Sequence, residues 1–415
     1  VVFKYCAPYG VGELTAEERA SRESHVDITY RFFRPVSFST VNFLCNPTNS
    51  ISYTNLGYSV PLRAEYEYDS YNPFKVSSSR ITTETQYDFY GGVKDRLLYT
   101  FSGDKVSIIY QAANDEDLGL SARSSSSIGS EYYNSLYGES IINRELLTLD
   151  KNGGVVERLF FSGNNPSSDQ NGFYGFEYEL DSLGRNSKGF PLDAHAQRFS
   201  TGLNSISIKY RDDSLFPVAI HYLDADGELY TADNIGCASI DFEYDAKGNC
   251  LRITSKDVGG KPVVSNFLKA AIIEYEPIKV YDNGTYSYSI SYLDSNGEPL
   301  ILLVDGFSKA EIIRDHLGRQ IDISYYGMDG EPIKAKVGGE ETSSRKKTEY
   351  ENFPDGGYCV RYYYYEGDEP VVIDKGYHSA RFYFDKNNIQ QKAEFFSLDG
   401  TYASMAGPYN PEYSY

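Results

Sequence analysis

Three stretches decide the fold: IHYLDADGEL (220–229), ISYLDSNGEP (290–299) and VRYYYYEGDE (360–369). Their glycines Gly227, Gly297 and Gly367 stand 70 residues apart. A second trio, FEYDAKGN (242–249), IIRDHLGR (312–319) and FYFDKNNI (382–389), keeps the same interval. It places Asp245, Asp315 and Asp385 in register and ends its turns at Gly248, Gly318 and Asn388. Gly260, Gly330 and Gly400 make a third series. Fixed-period self-similarity on this scale is the mark of a repeat architecture.

Each 70-residue unit divides into two half-units, whose first positions fall at 212, 245, 282, 315, 352 and 385. The steps alternate between 33 and 37. Within them the residues alternate. Tyr286-Ser287-Tyr288-Ser289-Ile290-Ser291-Tyr292 puts apolar side chains at every second position, the period of a half-buried strand. Asp, Asn and Gly at DADG, DSNG and DAKG suit tight turns that need a positive φ. The reading is an all-β array of hairpins in half-units of about 35 residues, forming a twisted sheet or solenoid in which neighbours bury each other's apolar faces.

Going toward the N-terminus the pattern thins. Asp181-Ser182-Leu183-Gly184 and Asp150-Lys151-Asn152-Gly153 keep the turn form. The expected organisation is a non-repeating cap region at 1–60, degenerate hairpins at 61–200, three regular units at 201–403 and a tail at 404–415. One short helix is expected in the cap, where Thr15-Ala16-Glu17-Glu18 forms a capping box.

The composition agrees with strands. There are 40 Tyr and 23 Phe against 2 Met and no Trp, and aromatic and β-branched residues suit a pleated surface. A net charge of −20 repels phosphate backbones, so nucleic acid is not an expected partner. The longest apolar runs fall short of a membrane span. The chain opens at Val1 without Met, as expected of a processed product or of a trimmed chain. The cysteines Cys6, Cys45, Cys237, Cys250 and Cys359 show no metal spacing; Cys237 and Cys250 can either pair or stay free. Asn283-Gly284-Thr285 is a glycosylation acceptor pattern.

Around its Asp turns the chain resembles the YD-repeat, or RHS-type, extracellular proteins. The residues that carry this are Tyr244-Asp245-Ala246-Lys247-Gly248-Asn249, Tyr87-Asp88-Phe89-Tyr90-Gly91 and, more distantly, Phe384-Asp385-Lys386-Asn387-Asn388. The resemblance spans roughly residues 65–403. It implies a β-sheet ribbon, secretion or cell-surface display, and a structural role. The chain is similar as well to bacterial repeats with Y-x-D-x-D-G-x-P hairpins, to which no activity is attached.

Three constellations could carry chemistry. Asp224 and Asp226, with Asp294 and Asn296, form the opening of an oxygen-rich calcium loop, the one cofactor to consider; the same residues also serve a hairpin turn. Tyr222, Tyr292 and Tyr362, with Tyr325 and Phe395, recur as a row of rings that either packs the core or stacks on a glycan or protein partner. The five His lack metal-site spacing, and no Gly-x-Ser-x-Gly elbow supplies a nucleophile. The expected function is therefore a non-catalytic structural or adhesive surface protein, such as a fibre or stalk subunit. Its partners are expected to be itself, head to tail, or surface glycans and proteins; a binding module using the aromatic row is the alternative.

Overall fold

The computed structural model describes residues 2–5, 11–13, 25–31, 34–41, 63–68, 81–87, 93–112 and most of 142–403. Within that last span it omits 152–153, 170–171, 183, 201, 212–216, 233–234, 246–249, 267, 284, 304, 316–318, 338–339 and 386–389. The expected helix at 15–18 lies outside the described residues, among which every regular element is a strand. The chain is all-β and hairpin-built.

It divides into two compact units, one reaching to Leu268 and one running from Lys269. In the first, Val2–Tyr5 pairs with Val11–Glu13 and with His25–Arg31. From His25–Arg31 to Cys250–Lys256 successive long strands then pair antiparallel in chain order. The second unit does the same from Ile272–Tyr275 to Gln390–Phe396. Residues 25–41, placed in the cap by their sequence, are thus a hairpin of the same ladder.

Alternation becomes burial. Tyr286, Tyr288 and Ile290 are buried on one face of their strand, and Ile240 and Phe242 on one face of theirs. Further toward the N-terminus, Leu97, Val106, Ile108, Tyr110, Ile142 and Phe160 form one core cluster. Ser239 and Ser289 are buried too, on the side of the pleat opposite Ile240 and Ile290, where small side chains let the second face close, while Ser255 pairs with Ile240 and shares its face.

One backbone motif recurs where one hairpin meets the next. The N–H of Tyr222 donates to the Ala238 carbonyl at 2.9 Å, and the Ala238 N–H donates onward to the Lys256 carbonyl at 2.7 Å. Ser308 links Tyr292 to Tyr326 in the same way, Ser344 links Tyr325 to Tyr365, and His378 links Tyr364 to Phe396. Asn143 and Tyr174 occupy the position in the part of the chain where the sequence repeat is faint. Asn204 and Ala271 make the onward bond to Leu223 and Leu293. These seam residues set a half-unit of 30–37 residues from 143 to 378.

Two residues before the seam at Tyr174, Asn204, Ala238, Ala271, Ser308 and His378, though not at Ser344, the backbone turns with positive φ. Gly172, Gly202, Gly236, Gly306 and Gly376 supply it, with φ from 71° to 86°. At the matching place before Ala271 stands Lys269, at φ 56°. A left-handed conformation costs an L-residue about 1–2 kcal/mol, and glycine gives back part of that through the unfolded chain. Lys269→Gly should therefore raise stability by up to about 1 kcal/mol in a denaturant titration. Gly376→Ala, where an added Cβ meets no atom within 4 Å, should lower it by about the same amount through backbone strain alone.

Candidate functional site

The hairpins turn at two kinds of tip. At one end of each unit's ladder lie tips of the form Asp-x-x-Gly-x, led by Asp224 in the first unit and Asp294 in the second. Asp224 accepts the Gly227 N–H through its carbonyl and donates its own N–H to Glu228. Its Oδ1 accepts the N–H groups of Asp226 and Glu228, both at 3.0 Å. Asp294 repeats this with Asn296 at 2.8 Å and Glu298 at 3.0 Å. Gly227 and Gly297 sit at φ 83° and 84°, as a three-residue loop with a left-handed third position requires. These backbone donors hold the Asp294 carboxyl below its ordinary value, Glu298 first and Asn296 second.

The candidate calcium loops form turns whose leading carboxylate accepts from its own backbone. Asp226 and Asn296 point to the same turn through their main chain. Among the described residues no group of three or more His, Cys, Asp or Glu is placed to hold a metal ion.

Gly367 keeps its place in the count but not in the turn. The strand Tyr358–Glu366 runs on until Glu366 pairs with Glu369, so Gly367 lies in a two-residue tip at φ 58°. Tyr364, rather than Tyr362, then makes the seam bond. The third unit matches the others in length and differs in register by two residues.

At the opposite end lie the Asp tips. Gly248, Gly318 and Asn388 fall outside the described residues, but their leading aspartates do not. Asp315 donates its N–H to the Arg319 carbonyl and accepts the Arg319 N–H at 2.9 Å and its Nε–H at 2.6 Å. Asp181 treats Arg185 identically, at 2.9 and 2.6 Å. The Asp385 carboxylate accepts from Gln391, and the Asp245 carbonyl accepts from Arg211. The residue preceding each of these aspartates marks a register shift, at Leu180, Tyr244, Arg314 and Phe384. Tyr30, Tyr68 and Tyr87 mark the same shift in the N-terminal hairpins.

Three tyrosines each tie a tip of this end to the one before it. The hydroxyl of Tyr210 donates to the Asn186 carbonyl, that of Tyr244 to Pro217 and that of Tyr350 to Gln320, at 2.8–2.9 Å. Each acceptor is the first residue of the strand leaving the preceding tip. The Arg185 guanidinium lies 4.6 Å from the Tyr210 ring centre, and Arg319 lies 4.6 Å from that of Tyr350. The staple was missed in the sequence. Its signal is the shared Asp-x-Leu-Gly-Arg at 181–185 and 315–319, each followed by a tyrosine in the next half-unit.

The aromatic row lies inside. Tyr222 and Tyr325 are buried, while Tyr292, Tyr362 and Phe395 are partly buried. Phe307 joins Tyr292 to Tyr325, with ring centres 5.9 and 4.9 Å apart. Phe382 joins Tyr362 to Phe395 at 5.7 and 6.0 Å. The rings face one another, which makes the row a packing element of the sheet. Cys237, Cys250 and Cys359 are buried free thiols, and burial pushes the Cys237 thiol up to about 12. Asn283 is exposed, with its Oδ1 accepting from Thr285.

No family model matches the chain, and no curated protein matches it. Among solved structures it is similar to a chain of the Photorhabdus luminescens Tc holotoxin pore, at 11% identity and a TM-score of 0.20 over 91% of this chain. A chain of the TcdB2-TccC3-Cdc42 complex gives 10% and 0.16 over 90%. A member of the duf4221 family from Bacteroides vulgatus gives 8% and 0.11 over 72% of this chain and 81% of that one. The chain spans 20% and 23% of the two toxin chains. The geometry defines the class: a β-repeat scaffold of sequentially paired hairpins.

Burial sets a pH dependence. It raises the hydroxyls of Tyr222, Tyr292, Tyr362 and Tyr364 above the usual value of 10.0, and that of Tyr210 to about 12. A group with a raised folded pKa favours the native state at neutral pH. That contribution falls as pH climbs above the unfolded value of 10 toward the folded one. An alkaline titration followed by phenolate absorbance should show only the exposed tyrosines ionising near 10. The remainder should ionise later, together with loss of the β-sheet circular dichroism signal.

Proposed function

We propose that the chain is a non-catalytic structural or adhesive scaffold, secreted or held at the cell surface. The observation that carries this reading is the seam. Within each unit each hairpin is bonded to the next through main-chain groups, so the unit lengthens by repetition and presents turn tips along both of its ends. The resemblance of the Tyr-Asp turns to YD-repeat proteins points the same way, and the excess of carboxylates keeps a displayed array soluble. The aromatic row packs the sheet rather than standing open, so a structural role is favoured over glycan stacking. Among the described residues no helix is long and apolar enough to cross a membrane.

The test is access from outside. In the native cell, an impermeant amine-reactive biotin reagent should label this chain on intact cells, or the chain should be recovered from the medium. A chain labelled only after lysis, alongside cytosolic markers, would contradict the reading.

A further inference from the structure

In the unit from Lys269, the strands Tyr286–Leu293, Gln320–Tyr326, Tyr358–Glu366 and Gln390–Phe396 are alternate members of an antiparallel ladder. They run the same way, so their C-terminal tips share one end of the sheet. Among the described residues of this unit, the exposed large apolar side chains gather at that end, Val280 and Tyr281 excepted. They are Leu303 at 91% exposure, Met328 at 57%, Val372 at 47%, Leu398 at 55% and Tyr402 at 64%. Scattered apolar residues are ordinary on a surface, whereas a grouped set marks a contact site.

The turn itself does not explain them. Met328 and Leu398 follow the first residue of equivalent tips 70 residues apart, and Val258, 58% exposed, holds that position in the other unit. Ala225 and Ser295 fill the same place at the intervening tips, so the turn accepts a small or polar residue there. A bulky apolar residue returns with the full 70-residue period, as a surface read by a partner requires. Alternate strands lie about 10 Å apart, so the tips of Met328 and Leu398 stand about 20 Å from each other.

The setting is acidic. Glu298, Asp329, Glu331, Glu369, Asp374 and Asp399 are exposed at the same end. Lys334 is paired with Glu366 at 2.8 Å, which leaves Lys336 and Lys375 as the other described lysines among these loops. A groove of about 740 Å³ lined by Ile301, Pro332 and Ile333 opens there as well, with Lys334, Lys336 and Glu366 on its walls.

We propose that this end of the second unit docks a cationic polypeptide segment with spaced apolar side chains, the apolar residues giving contact area and the carboxylates complementary charge. The docking stands apart from where the chain resides, since it depends only on the tips.

Fluorescence anisotropy of a labelled alternating Leu-Lys peptide titrated with the full chain tests it. The chain should bind this peptide, and added salt should weaken the binding. The triple variant Leu303→Ser, Met328→Ser, Leu398→Ser, which keeps every charge, should weaken it by at least about tenfold. Leu303→Ser alone, at the most exposed site, gives a smaller loss and serves if the triple variant does not fold. Unchanged binding by a folded variant would reduce the effect to general charge attraction and overturn the proposal. Equal binding of a Leu-Glu peptide would overturn it too, as would preferential binding to phosphatidylcholine vesicles.

Discussion

The structure depends on a pair of main-chain hydrogen bonds made by one residue between hairpins. At Ala238, Ser308, Ser344 and His378 the carbonyl accepts from the strand behind while the N–H donates to the strand ahead. A hairpin alone leaves its outer edge unsatisfied and its apolar face wet. The seam removes the first problem at the point where the next hairpin begins. Within each unit the direction of the chain, the sequential pairing of the long strands and the segregation of the two kinds of tip all follow from it. A strand must leave the seam antiparallel to the one it has just bonded, and the following tip must then fall at the far end.

Side chains reinforce what the backbone starts. At Asp181 and Asp315 the carboxylate holds the arginine four residues on, the guanidinium lies over a tyrosine of the next half-unit, and that tyrosine's hydroxyl reaches back to the strand leaving the tip. Each such hydrogen bond contributes about 1 kcal/mol net, which is little singly. Repeated along an array in which each half-unit touches only its neighbours, they stiffen the joints between hairpins. Tyrosine suits this because one side chain provides both the buried ring and the polar tip.

The 70-residue period, the alternating strands and the turn chemistry at Asp224, Asp294 and Asp315 were legible because they constrain residue type. A left-handed position calls for glycine, and a tip that satisfies its own backbone calls for aspartate. The seam was not legible, since it uses only main-chain groups. Its occupants, Asn143, Tyr174, Asn204, Ala238, Ala271, Ser308, Ser344 and His378, share no side-chain chemistry. Its trace is the glycine two residues earlier, at Gly236, Gly306 and Gly376, a fourth series with the same spacing. Counting alone also misjudged Gly367, because the strand Tyr358–Glu366 runs on to a two-residue tip there and its seam tyrosine, Tyr364, stands two residues beyond the place the 70-residue count gives. The aromatic row illustrates the remaining ambiguity. Periodicity showed that Tyr222, Tyr292 and Tyr325 share a place, but only the burial of Tyr222 and the Phe307 ring packed between Tyr292 and Tyr325 showed that the place is internal.

Native-state amide hydrogen exchange on the intact chain tests the seam most directly. Buried, doubly bonded linkers exchange only through cooperative opening. The account predicts that the amides of Ala238, Ser308, Ser344 and His378 are as slow as those at the middle of the paired strands. Exchange at these four positions as fast as that of unstructured amides, with the strand centres still protected, would contradict it: the hairpins would be intact but not joined.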